Sequence, residues 1–204
     1  LPTRIIDVCA IQGSQNVRLV ESGRLEAKMD KTDITYVALS YCWGQNMPRC
    51  ATTLVENLEK NLEEIEYSDL PKTIQDAIRV TRELGFRYIW IDALCIIQDV
   101  QDDWERESAS MGQVYSNATF TIAVGTAEAC TEGFRLDEAR KGKSKGFYIK
   151  QEGSTSDHHH IIYLSPYGRS GHGSTNLDKR AWTLQERDLS RRLLYFTDKG
   201  VFWE

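Results

Sequence analysis

Two carboxylates, Asp92 and Glu107, are the side chains in this 204-residue chain whose type and position best suit catalysis. Asp92 closes the apolar run Tyr88-Ile-Trp-Ile and so stands at a strand end, where α/β enzymes often carry a working group. Glu107 falls on a helix expected over about 102–117. On a wheel with Trp104 at zero and about 100° per residue, Ser108, Met111, Val114, Tyr115 and Ala118 form an inward stripe with Trp104. Glu107 falls at about 300°, within that stripe, and Glu105 and Arg106 fall outside it. A carboxylate that points inward needs a partner or a purpose. Two readings stay open: a structural glutamate bound to backbone or to an arginine, or a functional one. If Asp92 and Glu107 face one cleft, the pair suits work on a sugar. One group stabilises an oxocarbenium-like ribosyl cation or holds its hydroxyls, and the other orients water.

Other candidates gather at the same strand ends. Ser40, Tyr41, Cys42, Trp43 and Gly44 end one expected strand, and Asp92 through Gln98, with Cys95 among them, end another. Trp43, just ahead of a glycine turn, is the tryptophan best placed to stack on a base or ring. No dinucleotide or phosphate-binding glycine loop occurs, and no nucleophile elbow. A cysteine nucleophile needs a histidine, and all four histidines lie within 158–172, so Cys42 and Cys95 are not read as nucleophiles. His158, His159 and His160 point different ways on a strand without facing ligands, so no metal is expected.

These groups need elements that bring strand ends to one edge. Residues 34–42 are apolar on both alternating faces, as in a buried parallel strand. A helix is expected over 71–84, with Pro71 at its first position, Ile74, Ala77, Ile78, Thr81 and Leu84 at helical spacing, and Gly85 as the stop. A second buried strand follows from Tyr88. The next helix opens with Asp102 and Glu105 in capping-box spacing, and a third strand covers 119–124. This alternation is the signature of a parallel α/β unit. A β-rich hairpin, 4–8 with 17–20, precedes it. Residues 131–179, rich in Gly, Ser, Lys and Asp, read as an excursion with strand-like pieces at 146–150 and 160–164. The end, 180–204, reads as a short helix and a hairpin. The expected fold is thus an α/β, flavodoxin-like parallel central sheet flanked by helices, with the N-terminal hairpin and C-terminal excursion added, all in one domain over 1–204.

Composition narrows the function classes. Net charge is -5, against a general nucleic-acid binder. Five cysteines without a C-x-x-C pair argue against a disulfide framework and for a reducing, intracellular compartment. No apolar run is long enough to cross a membrane, and no signal peptide is visible, so no membrane partner is expected.

The motifs carry a resemblance. Tyr36-Val-Ala-Leu-Ser-Tyr-Cys-Trp-Gly44 resembles the first signature block of the fungal heterokaryon-incompatibility (HET) family. Leu70-Pro-Lys-Thr-Ile-Gln-Asp-Ala-Ile78 with Tyr88-Ile-Trp-Ile-Asp-Ala-Leu-Cys-Ile-Ile-Gln98 resembles the second. Asp103-Trp104-x-x-Glu107-x-x-x-Met111-x-x-x-Tyr115-x-x-Ala118 resembles the third, and Arg180-Ala-Trp-Thr-Leu-Gln-Glu186 and Val201-Phe-Trp-Glu204 resemble the closing blocks. Pro2-Thr-Arg-Ile-Ile-Asp7 fits the usual lead-in. Ile97 departs from the Asn or Asp the family often has there.

The resemblance implies fungal self/non-self recognition and programmed cell death, from a domain carried on larger proteins with sensor domains. The family is also distantly similar to TIR domains, which implies self-association and hydrolysis of the nicotinamide–ribose bond of NAD. Under that likeness Glu107 is the catalytic carboxylate with Asp92 beside it. Trp43 stacks on a ring, and Arg180 pairs with phosphate. Ser40, Tyr41, Gly44, Cys95, Gln98, Trp104, Trp182, Gln185 and Glu186 complete the expected binding set. NAD or a related nucleotide is then a substrate, and no cofactor is expected. The alternatives are a non-enzymatic, self-associating signalling module and a nucleoside- or nucleotide-processing transferase.

Overall fold

The computed structural model describes residues 1–30, 33–45, 47–134, 175, 177, 186–198 and 200–203, and the backbone of 146–148 and 161–163. Arg180, Trp182, Gln185 and the histidines 158–160 lie outside the described residues.

β1 (Arg4–Asp7) and β2 (Arg18–Glu21) form the N-terminal hairpin, with Arg4 opposite Glu21. The short α1 (Ser22–Glu26) follows. β3 (Tyr36–Ser40) is buried at every position, as its two-faced apolar run requires. α2 (Leu58–Glu63) and α3 (Lys72–Glu83) lead to β4 (Tyr88–Trp90). α4 (Asp92–Cys95) and α5 (Gln101–Asn117) then lead to β5 (Thr121–Val124). β6 (Gly146–Tyr148) and β7 (Ile161–Tyr163) pair antiparallel as a separate ribbon. A helical turn at 186–189 precedes β8 (Leu193–Thr197) and β9 (Gly200–Trp203).

The main sheet runs β2-β1-β4-β3-β5-β8-β9. Its inner pairs, β4 with β3, β3 with β5 and β5 with β8, are parallel. Its outer pairs are antiparallel. The sheet is therefore mixed: its four central strands are parallel, and the N-terminal hairpin is continuous with them through β1. β1 pairs directly with β4, and burial of all four of its residues is the reason: they need cover on both faces. Because β1 is antiparallel to β4, with Ile6 opposite Ile89 and Asp7 opposite Tyr88, Arg4 emerges at the carboxyl edge of β4.

α3 buries Ile74, Ala77, Ile78 and Thr81, and Gly85 stops the chain with φ +80. Pro71 is the residue before the helix, with ψ 151, where its missing N–H costs nothing. α5 lies across β3 and β4. The Tyr115 hydroxyl donates to the Leu39 carbonyl at 3.2 Å, the Tyr36 hydroxyl donates to the Val114 carbonyl at 2.7 Å, and Tyr115 meets Trp90 edge to face at 5.6 Å. α5 corrects two expectations. Val100 occupies its N-cap without a side-chain cap, so Asp102 and Glu105 form no capping box. Its buried residues are Asp103, Glu107, Val114 and Tyr115, and Trp104 is 44% exposed. The inward stripe is rotated towards Glu107, because Asp103 and Glu107 find a buried cationic partner that a helix wheel cannot show.

Candidate functional site

β3 ends at Ser40, whose hydroxyl donates to the Glu186 carboxylate, both groups buried. Tyr41 and Cys42 turn into the protein, and Trp43 emerges half-buried. The Trp43 indole N–H donates to Asp92 Oδ2 at 3.0 Å, joining the ends of β3 and β4. Asp92 opens α4, and its Oδ1 accepts the Ala93 N–H at 2.7 Å. The Gln98 amide donates to the carbonyls of Asp92 and Ile96, each at 3.1 Å, closing the short helix on itself.

Gly44 makes this junction possible. Its φ is +79, and a Cβ there would stand 2.6 Å from Ala129 Cβ. The loop after β5 thus packs on the Trp43–Gly44 turn, and Cys130 N–H donates to the Trp43 carbonyl at 3.3 Å. The loop is pinned in turn to α3. Thr73 N–H donates to Cys130 O at 2.9 Å, Gly133 N–H to Thr73 Oγ1 at 3.1 Å, and Phe134 N–H to Asp76 Oδ2 at 3.1 Å. Replacing Gly44 by Ala is expected to destabilise the fold by about 2–4 kcal/mol, from left-handed backbone strain plus overpacking. Chemical denaturation measures it. Adding Ala129→Gly should recover part of the loss, and an unchanged midpoint in Gly44→Ala would contradict the packing.

Glu107 sits in a buried ion cluster. Arg4 Nη2 binds Asp103 Oδ2 and stands 3.9 Å from Glu107 Oε1, and Arg4 Nε donates to the Cys95 carbonyl at 2.7 Å. Arg106, half out in solvent, binds Asp103 Oδ1 and reaches Glu107 Oε1 at 3.3 Å. Asp103 Oδ2 also accepts the Ile97 N–H at 2.8 Å. Burial alone would raise the Asp103 pKa. The bonds from Arg4 and Ile97 and the charges of Arg4 and Arg106 outweigh it, and the group is held below the usual carboxylate value. Glu107 is 2% exposed and Arg4 7%. Sequence reasoning missed Arg4 and Asp103. The signal was present as two acidic residues at i and i+4 on one helix face, which demand a cation between them.

Cys95, at the end of α4, is fully buried, with no surface to offer a ligand. Burial pushes its thiol up to about 12, with Asp92 and Glu107 adding to the rise against Arg4. The intact domain should therefore resist iodoacetamide at Cys95 at pH 8, whereas the exposed Cys9 and Cys50 react. Mapping of alkylated peptides tests this, and modification of Cys95 without unfolding would refute it. The Tyr115 hydroxyl is likewise raised well above its ordinary value, by burial first and then by Glu186, Asp92 and Tyr41. Asp92 and Glu186 thus both act on this one hydroxyl.

The structure brings Ser40 to Glu186, Trp43 to Asp92, and Glu107 to Arg4 and Arg106. It sends Trp104 outward. Among the described residues no cluster of His, Cys, Asp and Glu is arranged to hold a metal ion, and no helix is long and apolar enough to cross a membrane.

A mixed α/β sheet with polar groups gathered at the carboxyl ends of its parallel strands defines the class of fold. The profile of the heterokaryon incompatibility protein (HET) family matches residues 36–186, from the first residue of β3 to Glu186, and the chain belongs to this family. That membership is consistent with a role in incompatibility and cell death. No curated protein and no solved structure matches the chain.

Proposed function

We propose that this HET domain is a cell-death effector that hydrolyses the nicotinamide–ribose bond of NAD, in the manner of TIR domains, at the carboxyl edge of β3 and β4. The observation that carries the reading is the Trp43–Asp92 pair: a half-buried aromatic ring whose N–H fixes a half-buried carboxylate. The ring offers a face to the nicotinamide or adenine, and Asp92 offers a fixed negative charge. Bond cleavage sends the electron pair to the nicotinamide nitrogen and leaves a ribosyl oxocarbenium. Water adds to that cation and loses a proton, giving ADP-ribose and nicotinamide. The carboxylates of Asp92, Glu186 and Glu107 favour the developing positive charge. The domain acts, in this proposal, inside the cell as one part of a larger sensing protein, and self-association brings it to active concentration.

The test is NAD consumption by the purified domain at high concentration, followed by release of nicotinamide. Loss of NAD in proportion to nicotinamide supports the reading. A second reading rests on the ion pairs at Glu107, which suit a structural glutamate. In it the domain signals by self-association alone. A domain that kills cells but leaves NAD intact, even when forced to oligomerise, would favour that reading.

A further inference from the structure

Arg4 belongs to β1, outside the span 36–186 that matches the HET family, yet its side chain ends among the residues of the proposed site. Its guanidinium ties three segments together. Nε holds the Cys95 carbonyl at the end of α4, the helix that Asp92 opens. Nη2 holds Asp103, which in turn fixes the Ile97 N–H in the connecting loop. The same nitrogen stands 3.9 Å from Glu107, one turn further along α5. The groups facing Glu107 are Arg4 from β1, Arg106 and Asp103 from α5, and Cys95 from α4, which also feels Asp92. Two buried carboxylates four residues apart repel, and without a buried cation one of them takes a proton. Arg106 is more than half exposed and screened by water, so Arg4 is the cation that acts at low dielectric.

We infer that Arg4 is a positioning residue of the functional site: from β1 it ties the end of α4, the connecting loop and the first turn of α5 together, and so fixes the arch from Asp92 to Glu107 against the sheet edge. The N-terminal strand is therefore part of the site, although it lies outside the matched span. The inference rests on the reading of Glu107 as a site carboxylate, and its test is independent of turnover.

The test is a carbon-13 NMR titration of the aspartate carboxyl groups, with Asp103→Asn assigning the resonance, in the wild type, Arg4→Met and Arg4→Lys. The Asp103 midpoint, which the bond from Arg4 helps hold below the ordinary carboxylate value, should rise by about one pH unit or more in Arg4→Met and return towards the wild type in Arg4→Lys, which restores the charge. Lysine cannot hold the Cys95 carbonyl and Asp103 together, so exchange of the Ile97 amide in Arg4→Lys should quicken roughly tenfold or more. A role confined to stability would lower the melting temperature and leave the midpoint where it was. Midpoints unchanged in the folded variants overturn the inference. Should Arg4→Met fail to fold, unchanged Ile97 protection in Arg4→Lys overturns it. NAD turnover measured beside these titrations separates the two ideas. A wild type without turnover removes the NAD reading and leaves the titration to decide Arg4.

Discussion

Asp92→Asn should lower the rate of NAD hydrolysis about 10²–10³-fold, the usual loss when one preorganised electrostatic group is removed. The melting temperature should barely change. Asp92 is half-buried at the start of α4, and asparagine keeps an oxygen for the Trp43 N–H at 3.0 Å or the Ala93 N–H at 2.7 Å. The substitution removes charge and little else. Glu107→Gln should also lower the rate, but at a visible cost in stability, because its charge is shared with Arg4 and Arg106 in a buried cluster. The two variants therefore differ in the ratio of lost activity to lost stability. Steady-state kinetics beside thermal melts read that ratio. Asp92→Asn at more than half the wild-type rate would remove Asp92 from the chemistry and leave Glu107 and Glu186 to carry it.

That contrast marks where sequence reasoning reached and where it stopped. β3 was legible because nine apolar or small residues in a row admit few other fates than a strand covered on both faces, and all five of its strand residues are buried. α3 was legible because Ile74, Ala77, Ile78 and Thr81 share a stripe, and Gly85 takes the left-handed turn that ends it. The length of α5 was close, but its rotation was not. Trp104 looks like an anchor on a wheel, and the true inward residue one position earlier is an aspartate. No local rule buries an aspartate, since the group that satisfies it lies 99 residues away on β1. The same limit hides the insertion of β1 beside β4. Residues 4–7 pair with 18–21 by hairpin rules, but their second neighbour is chosen by the sheet as a whole. Thr73 and Asp76 were also silent. They occupy buried positions of α3 and bond a loop nearly sixty residues on, a contact that periodicity treats as noise. At the site, Ser40 and Glu186 were each named, but nothing in either segment says that they meet.

Arg4→Ala should destabilise the domain by about 3–5 kcal/mol, because it leaves Asp103 and Glu107 buried with a half-exposed Arg106 as their remaining cation. For a chain of this size the melting temperature should fall by roughly 6–20 °C. The loss has a pH dependence fixed by Asp103. Its folded pKa lies below its ordinary value, so the wild type holds the full contribution above the ordinary carboxylate range and loses it as pH falls through the lower, folded value. The gap between wild type and Arg4→Ala should therefore be widest near neutral pH and close on acidification. Urea midpoints at several pH values measure it, and a gap that stays constant down to acid denaturation would show that Arg4 contributes by packing alone. A further variant separates charge from fold. Arg4→Met, Asp103→Leu and Glu107→Met together replace the buried ions with apolar groups of similar size, an exchange that is often neutral or stabilising. This triple variant should regain most of the stability lost in Arg4→Ala and still fail to consume NAD. Stability would then belong to filling the space between β1 and α5, and activity to the charges that fill it in the natural chain.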